Sequence, residues 1–328
     1  MSAFHTKDIS QHSFLVTGGA GFIGSHITEY LLKNGAGKVR VLDNLETGFQ
    51  KNIDLFTGYD NFEFMKGDIR DAATCVKACE GIDYVSHQAA LGSVPRSVKD
   101  PITSNEVNVS GFVNMITAAK DSGVKTFVYA SSSSVYGDEP NLPKREEKVG
   151  NPLSPYAVTK KTNELYANVF ADLYSMQVVG LRYFNVFGPR QDPDGPYAAV
   201  IPLFVSGILN QTPVYINGDG EQTRDFTFVD NAVQANVRGM LSDNPKSFGE
   251  AYNVAVGENF TVNFLYESIR EMLGVAHEPT HREPRAGDIR DSLADISKAQ
   301  TLLGYAPTQR FMDGLKQTVA FFEEIYKK

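Results

Sequence analysis

Short apolar runs alternate with amphipathic segments through the first 180 residues of the chain. The runs FLVTG, KVRVLD, FEFMKGD, DYVSH, TFVYAS and VVGLRYFN predict six strands that begin near residues 14, 38, 62, 83, 126 and 178. Between them apolar positions follow helical spacing, as at Ile23, Ile27 and Leu31 before the Asn34-Gly35 pair. This alternation predicts an α/β fold, a Rossmann-type doubly wound parallel sheet with right-handed crossovers.

The pattern loosens after about residue 186. GPRQDPDGPY is typical of a loop, and PVYING, DFTFVD and AYNVA are strand candidates followed by helical stretches over 262–274 and 310–327. We therefore expect a Rossmann domain over 1–185, with segments near 225–256 returning to it. A smaller mixed α/β C-terminal domain over 186–328 is expected to close over the sheet edge.

Composition and charge narrow the functional classes. The 328 residues are 42% hydrophobic, with a net charge of -8 and a pI near 5.3, which argues against a nucleic-acid-binding surface. No stretch is apolar enough for a membrane span, and MSAFHTKDISQH does not resemble a signal peptide, so a cytoplasmic enzyme is expected. The N-terminal dozen residues are expected either to be disordered or to pack across a partner subunit.

The two cysteines, Cys75 and Cys79, lie one helical turn apart without a second pair or a nearby histidine ligand. This arrangement favours small buried hydrophobic residues over a disulfide or a zinc site, so no metal is expected.

A glycine-rich turn follows the first predicted strand. In GGAGFIG, Gly18, Gly21 and Gly24 lead directly into a helix, a pattern that brings backbone close to a pyrophosphate at a helix N-terminus. Asp43 ends the second strand, 25 residues after Gly18, where a carboxylate accepts both ribose hydroxyls and repels a 2′-phosphate. Asp68 ends the third strand, where it either bonds the adenine amine or caps a turn. The pattern predicts NAD rather than NADP.

A hydroxyl-rich strand end and a Tyr-x-x-x-Lys pair form the candidate catalytic group. TFVYA delivers the serines of ASSSSVYGD to the carboxyl edge of the sheet, and SPYAVTK places Tyr156 and Lys160 on one helix face. A free phenol is a weak base at neutral pH, so we expect the Lys160 ammonium to lower the pKa of Tyr156. Ser132 is expected to share a hydrogen bond with the same substrate oxygen.

These motifs together resemble a known family. TGGAGFIG, the Asp43 strand end, SSSSVYGD, SPYAVTK and RYFNVFGPRQDP are similar to the extended short-chain dehydrogenase/reductases, and in particular to the UDP-sugar 4-epimerases. The likeness continues through GDGEQTRDFTFVDN and REPRAGDIRDSLADISKA, over nearly the whole chain. HQAALGSVPRS, GPRQDPDGPYAAVIP and the small residue at 292 most resemble UDP-N-acetylhexosamine 4-epimerases, enzymes of polysaccharide biosynthesis.

The two residues after Ser132 distinguish the activities of the enzymes that this chain resembles. Related dehydratases carry an Asp-Glu pair there, and decarboxylases keep a Glu, because these reactions need a further general acid or base. This chain carries Ser133 and Ser134 instead. Without that carboxylate we expect oxidation at C4 to be followed only by its reversal, which is epimerisation through a 4-keto sugar.

The resemblance also implies site residues. It implies NAD contacts from Gly18, Gly21, Phe22, Ile23, Gly24, Asp43, Asn44, Asp68, Ile69, Gln88, Ala89, Ala90, Tyr156 and Lys160. It implies substrate contacts from Gly92, Ser93, Ser132, Ser133, Ser134, Asn185, Ala199, Val200, Tyr215, Asn217, Arg224, Arg285, Asp288 and Ser292. For Arg224 and Arg285 the alternative is a surface or ion-paired arginine, and for Asn185 it is a strand-end turn.

Substrate preference and assembly are open on the sequence alone. By resemblance, Ser292 leaves space for an acetamido group where enzymes restricted to plain hexoses carry a bulky aromatic, so UDP-GlcNAc and UDP-GalNAc are the expected substrates. Arg96 in the SVPRS loop keeps a UDP-glucuronate epimerase open as an alternative, beside a UDP-glucose epimerase. A non-catalytic NAD-binding sensor is the non-enzyme alternative. The resemblance implies a homodimer formed through two helices of the first domain.

Overall fold

A computed structural model describes residues 3–193, 199–283 and 290–326. Its thirteen strands are β1 Ser13–Thr17, β2 Lys38–Asp43, β3 Phe62–Lys66, β4 Tyr84–His87, β5 Thr126–Ser132, β6 Gln177–Tyr183, β7 Val186–Phe187, β8 Tyr215–Asn217, β9 Thr223–Arg224, β10 Thr227–Phe228, β11 Glu250–Val254, β12 Phe260–Thr261 and β13 Thr280–Arg282.

The α-helices in these ranges are α1 Phe22–Lys33, α2 Gln50–Asp54, α3 Ala72–Cys79, α4 Val94–Lys99, α5 Pro101–Asn105, α6 Gly111–Asp121, α7 Pro155–Tyr174, α8 Val200–Leu209, α9 Val229–Met240, α10 Val262–Leu273, α11 Ser297–Leu303 and α12 Phe311–Tyr326. A π-helical turn, Glu106–Ser110, joins α5 to α6, and 3₁₀ turns occupy Ser133–Tyr136 and Pro245–Ser247. None of the described helices is both long and apolar enough to cross a bilayer.

Seven strands form one parallel sheet in the order β11-β6-β5-β4-β1-β2-β3. The strand order reverses between β1 and β4, the position where ligands of doubly wound sheets bind. Apolar clusters cover both faces: α1, α9 and α11 contribute to one, and α3, α6 and α7 to the other. The predicted Rossmann-type fold is therefore confirmed.

The second half of the chain contributes to both parts of the molecule. α9 packs on the central sheet and β11 pairs in parallel with β6, so residues 229–254 lie against the first half. A separate apolar cluster joins α8, α10 and α12 with Phe187 and Phe228. Short strand pairs β10-β7, β12-β9 and β13-β8 lie outside the main sheet.

The start of the chain packs against the rest of the same chain, so the expectation of disorder is wrong for the described residues from position 3; packing across a partner subunit stays a prediction. The backbone N–H of Phe4 donates to the Tyr30 hydroxyl at 2.7 Å, and the two rings stack with centroids 5.0 Å apart. Ile9 is buried in the cluster around α1 and α9. Two apolar residues five positions apart are too sparse a signal for sequence periodicity to reveal this contact.

Both cysteines are buried and unpaired, as expected. Burial raises the pKa of each thiol to about 12, so both stay protonated at neutral pH. No cluster of metal-ligating side chains occurs among residues 3–193, 199–283 and 290–326.

Candidate active site

The glycine turn opens a cradle at the end of β1. Gly18 has φ +69°, and a Cβ atom there would stand 2.7 Å from the backbone nitrogen of Ala89, so only glycine fits. A Cβ at Gly24 would stand 2.2 Å from the carbonyl oxygen of Gly18, which explains the third glycine. No side chain caps α1 at Gly21, so the helix start is available to an anion.

Two carboxylates follow along the same sheet edge. The carboxylate of Asp43 accepts hydrogen bonds from the backbone N–H groups of Ala20 at 3.0 Å and Leu45 at 2.8 Å, and burial raises its pKa. Asp68 accepts from Asn44 at 3.0 Å and from the Arg70 guanidinium at 2.6 Å. The hydrogen bonds from Arg70 lower the pKa of Asp68 to about 2, so it is ionised at neutral pH.

A cleft of about 470 Å³ runs along the carboxyl edge of the sheet from these carboxylates to α7. The predicted site residues that line it are Gly18, Gly21, Phe22, Ile23, Gly24, Asp43, Asn44, Asp68, Ile69, Gln88, Ala89, Ala90, Gly92, Ser93, Tyr156, Lys160 and Ala199. Arg96, considered from the sequence for a uronate substrate, also lines the cleft. Lining residues that sequence reasoning missed are Leu42, Glu46, Thr47, Gly67, Leu91, Val107, Ala130, Ser131, Tyr183, Gln191 and Asp192. Leu42, Gly67, Leu91 and Ser131 directly adjoin predicted residues, and this adjacency was the available signal for them; the other missed residues carry no such signal.

The first turns of α7 present Tyr156 and Lys160 to the cleft. Ser154 caps the helix by accepting from the N–H of Ala157, and the N–H of Tyr156 donates to Ser97 of α4 at 2.9 Å. The Lys160 Nζ donates to the carbonyl of Ala130 on β5 at 2.7 Å and lies 5.8 Å from the centroid of the Tyr156 ring. The helix and β5 thereby fix both side chains at the same end of the cleft.

Burial controls the protonation of this pair. It raises the pKa of the Tyr156 phenol above its ordinary value, while a hydrogen bond with Ser132 acts in the opposite direction. This differs from the expectation that Lys160 would lower the phenol pKa, because desolvation of the phenolate outweighs the hydrogen bond. Burial also lowers the pKa of Lys160 to about 8, which leaves it mostly an ammonium at neutral pH.

The four serines at the end of β5 have different surroundings. The Ser131 hydroxyl donates to Glu164 at 2.7 Å, and the Ser132 hydroxyl accepts from the N–H of Ser134 at 3.1 Å. Ser133 begins the 3₁₀ turn that redirects the chain. The Ser134 hydroxyl is buried and finds no hydrogen-bond partner within the described part of the chain. Ser131 lines the cleft, whereas the predicted site residues Ser132, Ser133 and Ser134 are not among its lining residues.

Glu164 is the carboxylate closest along α7 to the Tyr-Lys pair, but its oxygens are engaged. Arg182 donates to it through Nε at 2.8 Å and through Nη2 at 3.0 Å. Burial alone would raise the pKa of Glu164, but the hydrogen bonds from Arg182 outweigh it and hold the pKa below its ordinary value. Glu164 therefore remains anionic and supports β5 instead of supplying a proton.

Asn185, Arg224 and Ser292, three further predicted substrate residues, are not among the residues that line the cleft. Asn185 has φ +36° and its side-chain amide donates to the carbonyl of Asp225 at 3.0 Å, the geometry of a strand-end turn. The N–H of Ser292 donates to the carbonyl of Thr223 at 3.1 Å, beside Arg224. The Arg224 guanidinium donates to the carbonyls of Thr223 and Arg290 at 2.8 and 3.0 Å.

Three further predicted substrate positions lie on α8 and β8. Val200 is the first residue of α8, directly after Ala199. Tyr215 and Asn217 belong to β8, where the Arg282 guanidinium lies 5.1 Å from the Tyr215 ring centroid and donates to the Asn217 side chain at 2.6 Å. The predicted residues Arg285 and Asp288 lie outside the described ranges.

Comparison with known proteins decides the family. The sequence pattern of the NAD dependent epimerase/dehydratase family matches residues 14–255. The chain belongs to this family. Its relatives include the UDP-glucose 4-epimerase of Mycolicibacterium smegmatis (strain ATCC 700084 / mc(2)155), which is 40% identical over 310 residues, 94% of this chain and 97% of that protein.

Two solved structures of similar proteins extend the comparison. The UDP-N-acetylglucosamine 4-epimerase from Methanobrevibacter ruminantium M1, in complex with UDP-N-acetylmuramic acid, has a TM-score of 0.90 and 41% identity, covering 96% of this chain and 99% of that chain. The UDP-glucuronic acid 4-epimerase from Bacillus cereus, in complex with UDP-glucuronic acid and NAD, has a TM-score of 0.88 and 33% identity, covering 96% of this chain and 100% of that chain.

NAD is the cofactor of this epimerase/dehydratase chain. The geometry fits a dinucleotide. The turn at Gly18 lets a ligand come close to the backbone, and the uncapped start of α1 suits a diphosphate. The Asp43 carboxylate, at the end of β2, keeps lone pairs that its two backbone hydrogen bonds do not use.

Proposed function

We propose that this chain interconverts UDP-GlcNAc and UDP-GalNAc by inverting C4 of the sugar. The observation that carries the proposal is the composition of the Tyr156 end of the cleft. There the phenol has a hydroxyl partner in Ser132, and the nearby carboxylate of Glu164 is locked by Arg182. Such a site can oxidise and reduce an alcohol but has no additional acid, among the described residues at that end, to expel a leaving group.

The chemistry that NAD would supply when bound is reversible hydride transfer with C4 of the sugar. The residues that would hold it are those of the glycine cradle, Asp43 and Asp68 at the adenosine end, and Lys160 near the ribose. Among the described residues the Lys160 ammonium donates one hydrogen bond, to the carbonyl of Ala130, and this leaves N–H groups for the ribose.

Tyr156 moves the proton in this proposal. As a phenolate it removes the proton from the O4 hydroxyl, which becomes a carbonyl, and as a phenol it gives the proton back to the same oxygen. Ser132 bonds that oxygen throughout. Burial disfavours the phenolate, and the Lys160 ammonium, 5.8 Å from the centroid of the Tyr156 ring, would oppose this by its charge. Between the two transfers the sugar turns about its bond to the diphosphate and presents its other face.

The substrate is proposed to extend from α7 toward the second half of the chain. Arg224 and Arg285 would contact the diphosphate, for which a planar guanidinium is suited. Tyr215 and Asn217 would contact the uracil, and Gly92, Ser93, Ser133, Asn185, Ala199, Val200 and Asp288 would line the remaining pocket. Residues 1–185 with the returning segments near 225–256 then form the NAD-binding domain, and 186–328 the UDP-sugar domain.

Two features support an N-acetylated sugar. Ser292 places a small side chain on the segment next to Arg224, and the buried Ser134 hydroxyl is available to bond an acetamide. A similar structure belongs to a protein named as a UDP-N-acetylglucosamine 4-epimerase. The test is an assay of the purified protein without added NAD: interconversion of UDP-GlcNAc and UDP-GalNAc faster than that of UDP-glucose supports the proposal. Faster turnover of UDP-glucose contradicts it.

Substituting Ser292 by tyrosine is expected to lower kcat/KM for UDP-GlcNAc by on the order of 10-fold or more, because the aromatic ring would occupy the acetamido space. UDP-glucose turnover is expected to change little, and Ser292→Ala serves as the small-residue control. The measurement is kcat/KM on both substrates for each variant. Equal loss on both substrates would show that position 292 does not select the sugar.

A UDP-glucuronate 4-epimerase is the second candidate function. It is favoured by Arg96, which lines the cleft and offers a cation for a C6 carboxylate, and by similarity to the Bacillus cereus enzyme. The same assay includes UDP-glucuronate, and the activity ranking decides between the candidates.

A homodimer is the proposed assembly. α7 exposes a stripe of apolar side chains at helical spacing, including Leu165 and Leu173, the latter 70% exposed. Val98 of α4 and Ile102 of α5, the latter 71% exposed, extend it because both helices pack beside α7. Such a contiguous patch is typical of a contact surface. Sedimentation at twice the 36.1 kDa chain mass supports a dimer, and a monomer contradicts it.

A further inference from the structure

Asp225 is a fully buried carboxylate that the proposed mechanism does not use. Its oxygens accept hydrogen bonds from the backbone N–H groups of Val256 at 3.1 Å, Gly257 at 3.2 Å and Ala294 at 3.2 Å. A buried carboxylate is costly unless it is well hydrogen-bonded. Three converging donors from two separate loops therefore indicate a specific task.

One of the three donors belongs to the segment that carries Ser292, and the other two belong to the turn after β11. Val256 and Gly257 follow β11, at the edge of the central sheet. Ala294 lies two residues after Ser292. The backbone carbonyl of Asp225 accepts from Asn185, and the preceding residue is Arg224. Asp225 thus joins the segments of two proposed substrate residues, Asn185 and Ser292, to the turn after β11, and it directly follows Arg224.

On the other side of Arg224, two backbone hydrogen bonds join Thr223 to the segment that carries Ser292. The N–H of Thr223 donates to the carbonyl of Arg290 at 3.0 Å, and the carbonyl of Thr223 accepts from the N–H of Ser292 at 3.1 Å. These two hydrogen bonds hold residues 290–292 next to Thr223. The hydrogen bond from the N–H of Ala294 to the Asp225 carboxylate holds the same segment two residues further on. Ser292 is therefore held between two points of attachment.

We propose that Asp225 is a positioning residue for UDP-sugar recognition, holding the Ser292 segment and the turn after β11 in the register that places Ser292, Arg224 and Asn185 around one pocket. This inference rests on the proposed function for the identity of the ligand. Asp225 acts through its neighbours and does not touch the reacting atoms.

The pKa of Asp225 makes the proposed role testable through its pH dependence. Burial raises the pKa of Asp225 to about 7, with the nearby carboxylate of Glu258 acting in the same direction. Tyr305, whose own pKa is raised, faces it from the segment after α11, and the charged neighbours on the adjoining segments are Arg224 and Asp291. Protonation near neutral pH would weaken the acceptors for the three N–H groups.

The raised pKa of Asp225 also indicates that the fold tolerates a neutral side chain at position 225. A carboxyl group with a folded pKa above its unfolded value contributes stability below the unfolded pKa, and that contribution is lost as the pH rises through the folded pKa. For Asp225 this window runs from about pH 4 to about pH 7. Asp225→Asn removes the pH-dependent loss, so we expect the variant to fold at neutral pH. An asparagine nevertheless presents an NH₂ group to one of the backbone donors.

The experiment compares wild-type protein, Asp225→Asn and the exposed-site control Asp313→Asn. We expect Asp225→Asn to raise KM for UDP-GlcNAc at pH 8 by on the order of 10-fold, to leave kcat within about threefold, and to leave the NAD content unchanged. In the wild type, KM is expected to rise as the pH falls through about 7, and this slope is expected to be absent in Asp225→Asn. An unchanged KM, or a parallel fall of kcat and NAD content, would overturn the proposal.

Calorimetric binding of UDP-GlcNAc and of UDP separates this inference from the proposed function. If the wild type binds the UDP-sugar without epimerising it, the proposed function fails, and the ratio of dissociation constants still decides the role of Asp225. A weakening of about 10-fold in Asp225→Asn supports positioning. Equal affinity of the two proteins for UDP-GlcNAc, or no binding by the wild type, overturns the proposed positioning role of Asp225.

Discussion

Replacing Tyr156 by phenylalanine is expected to lower kcat by about 10²- to 10⁴-fold, the range typical of a lost general acid-base group. In the proposed mechanism the hydroxyl moves the O4 proton in both directions, so its removal would block oxidation and reduction alike. NAD binding is expected to persist, because the proposed cofactor contacts lie mainly on the glycine cradle and on Asp43 and Asp68, which line the cleft. The measurements are kcat on UDP-GlcNAc and NAD released from the denatured protein.

Two matched variants sharpen this result. Tyr166→Phe removes a hydroxyl from the same helix at a position 40% exposed to solvent, and it is expected to retain wild-type turnover. Asp192→Asn neutralises a carboxylate that lines the cleft after β7, and it is expected to stay within a few-fold of wild type. A fully active Tyr156→Phe enzyme would contradict the mechanism. A loss in Asp192→Asn as large as that in Tyr156→Phe would point to a second proton donor.

Gly18→Ala is expected to give the second large effect, loss of NAD from the purified protein. The added methyl group would stand 2.7 Å from the backbone nitrogen of Ala89, so the turn must move and the cradle is lost. Gly35→Ala is the matched control, because Gly35 has a similar φ of +76° but no atom within 4 Å of its Cβ position. Both variants carry the strain of a positive φ, about 1–2 kcal/mol, but only Gly18→Ala meets an obstacle.

The measurements for this pair are NAD content and the free energy of unfolding of each variant. We expect NAD affinity to fall at least about 10-fold in Gly18→Ala and to be unchanged in Gly35→Ala. If both variants lost NAD equally, backbone strain alone would explain the effect, and the close approach at Ala89 would have no role.

The central sheet was predictable because its strands are buried on both faces and appear as continuous apolar runs. All six runs of the first half correspond to strands β1 to β6, and the helices expected over 262–274 and 310–327 are α10 and α12. Their strong patterns come from one simple rule, burial of apolar surface. The prediction of fold class therefore needed little beyond periodicity and the glycine turn.

The same rule misjudged α9. DFTFVD was expected to be a strand, but β10 covers only Thr227–Phe228 and the helix begins at Val229. α9 buries Asn231, Gln234 and Asn236, whose amides bond backbone or side-chain atoms of distant segments. Buried polar residues with long-range partners look like surface residues in a sequence, so periodicity cannot assign them.

The candidate site also combines residues that sequence motifs predict with contacts that they do not. The motif residues of the glycine turn, Asp43, Tyr156 and Lys160 line one cleft, while the protonation of Tyr156 depends on burial that no motif encodes. The clamp of Arg182 on Glu164 joins β6 to α7, and Asp225 joins three segments from separate parts of the chain. Such contacts arise from tertiary packing, so only the structure reveals them.

We expect a hydrogen removed from C4 to return to the same carbon, with Tyr156 moving the only other proton. The most direct test is turnover of UDP-GlcNAc deuterated at C4 by the purified protein, without added NAD, followed by mass spectrometry of the UDP-GalNAc formed. We predict that the product retains the deuterium and that NADH does not accumulate. Loss of the label to solvent, or formation of NADH in proportion to product, would contradict the account.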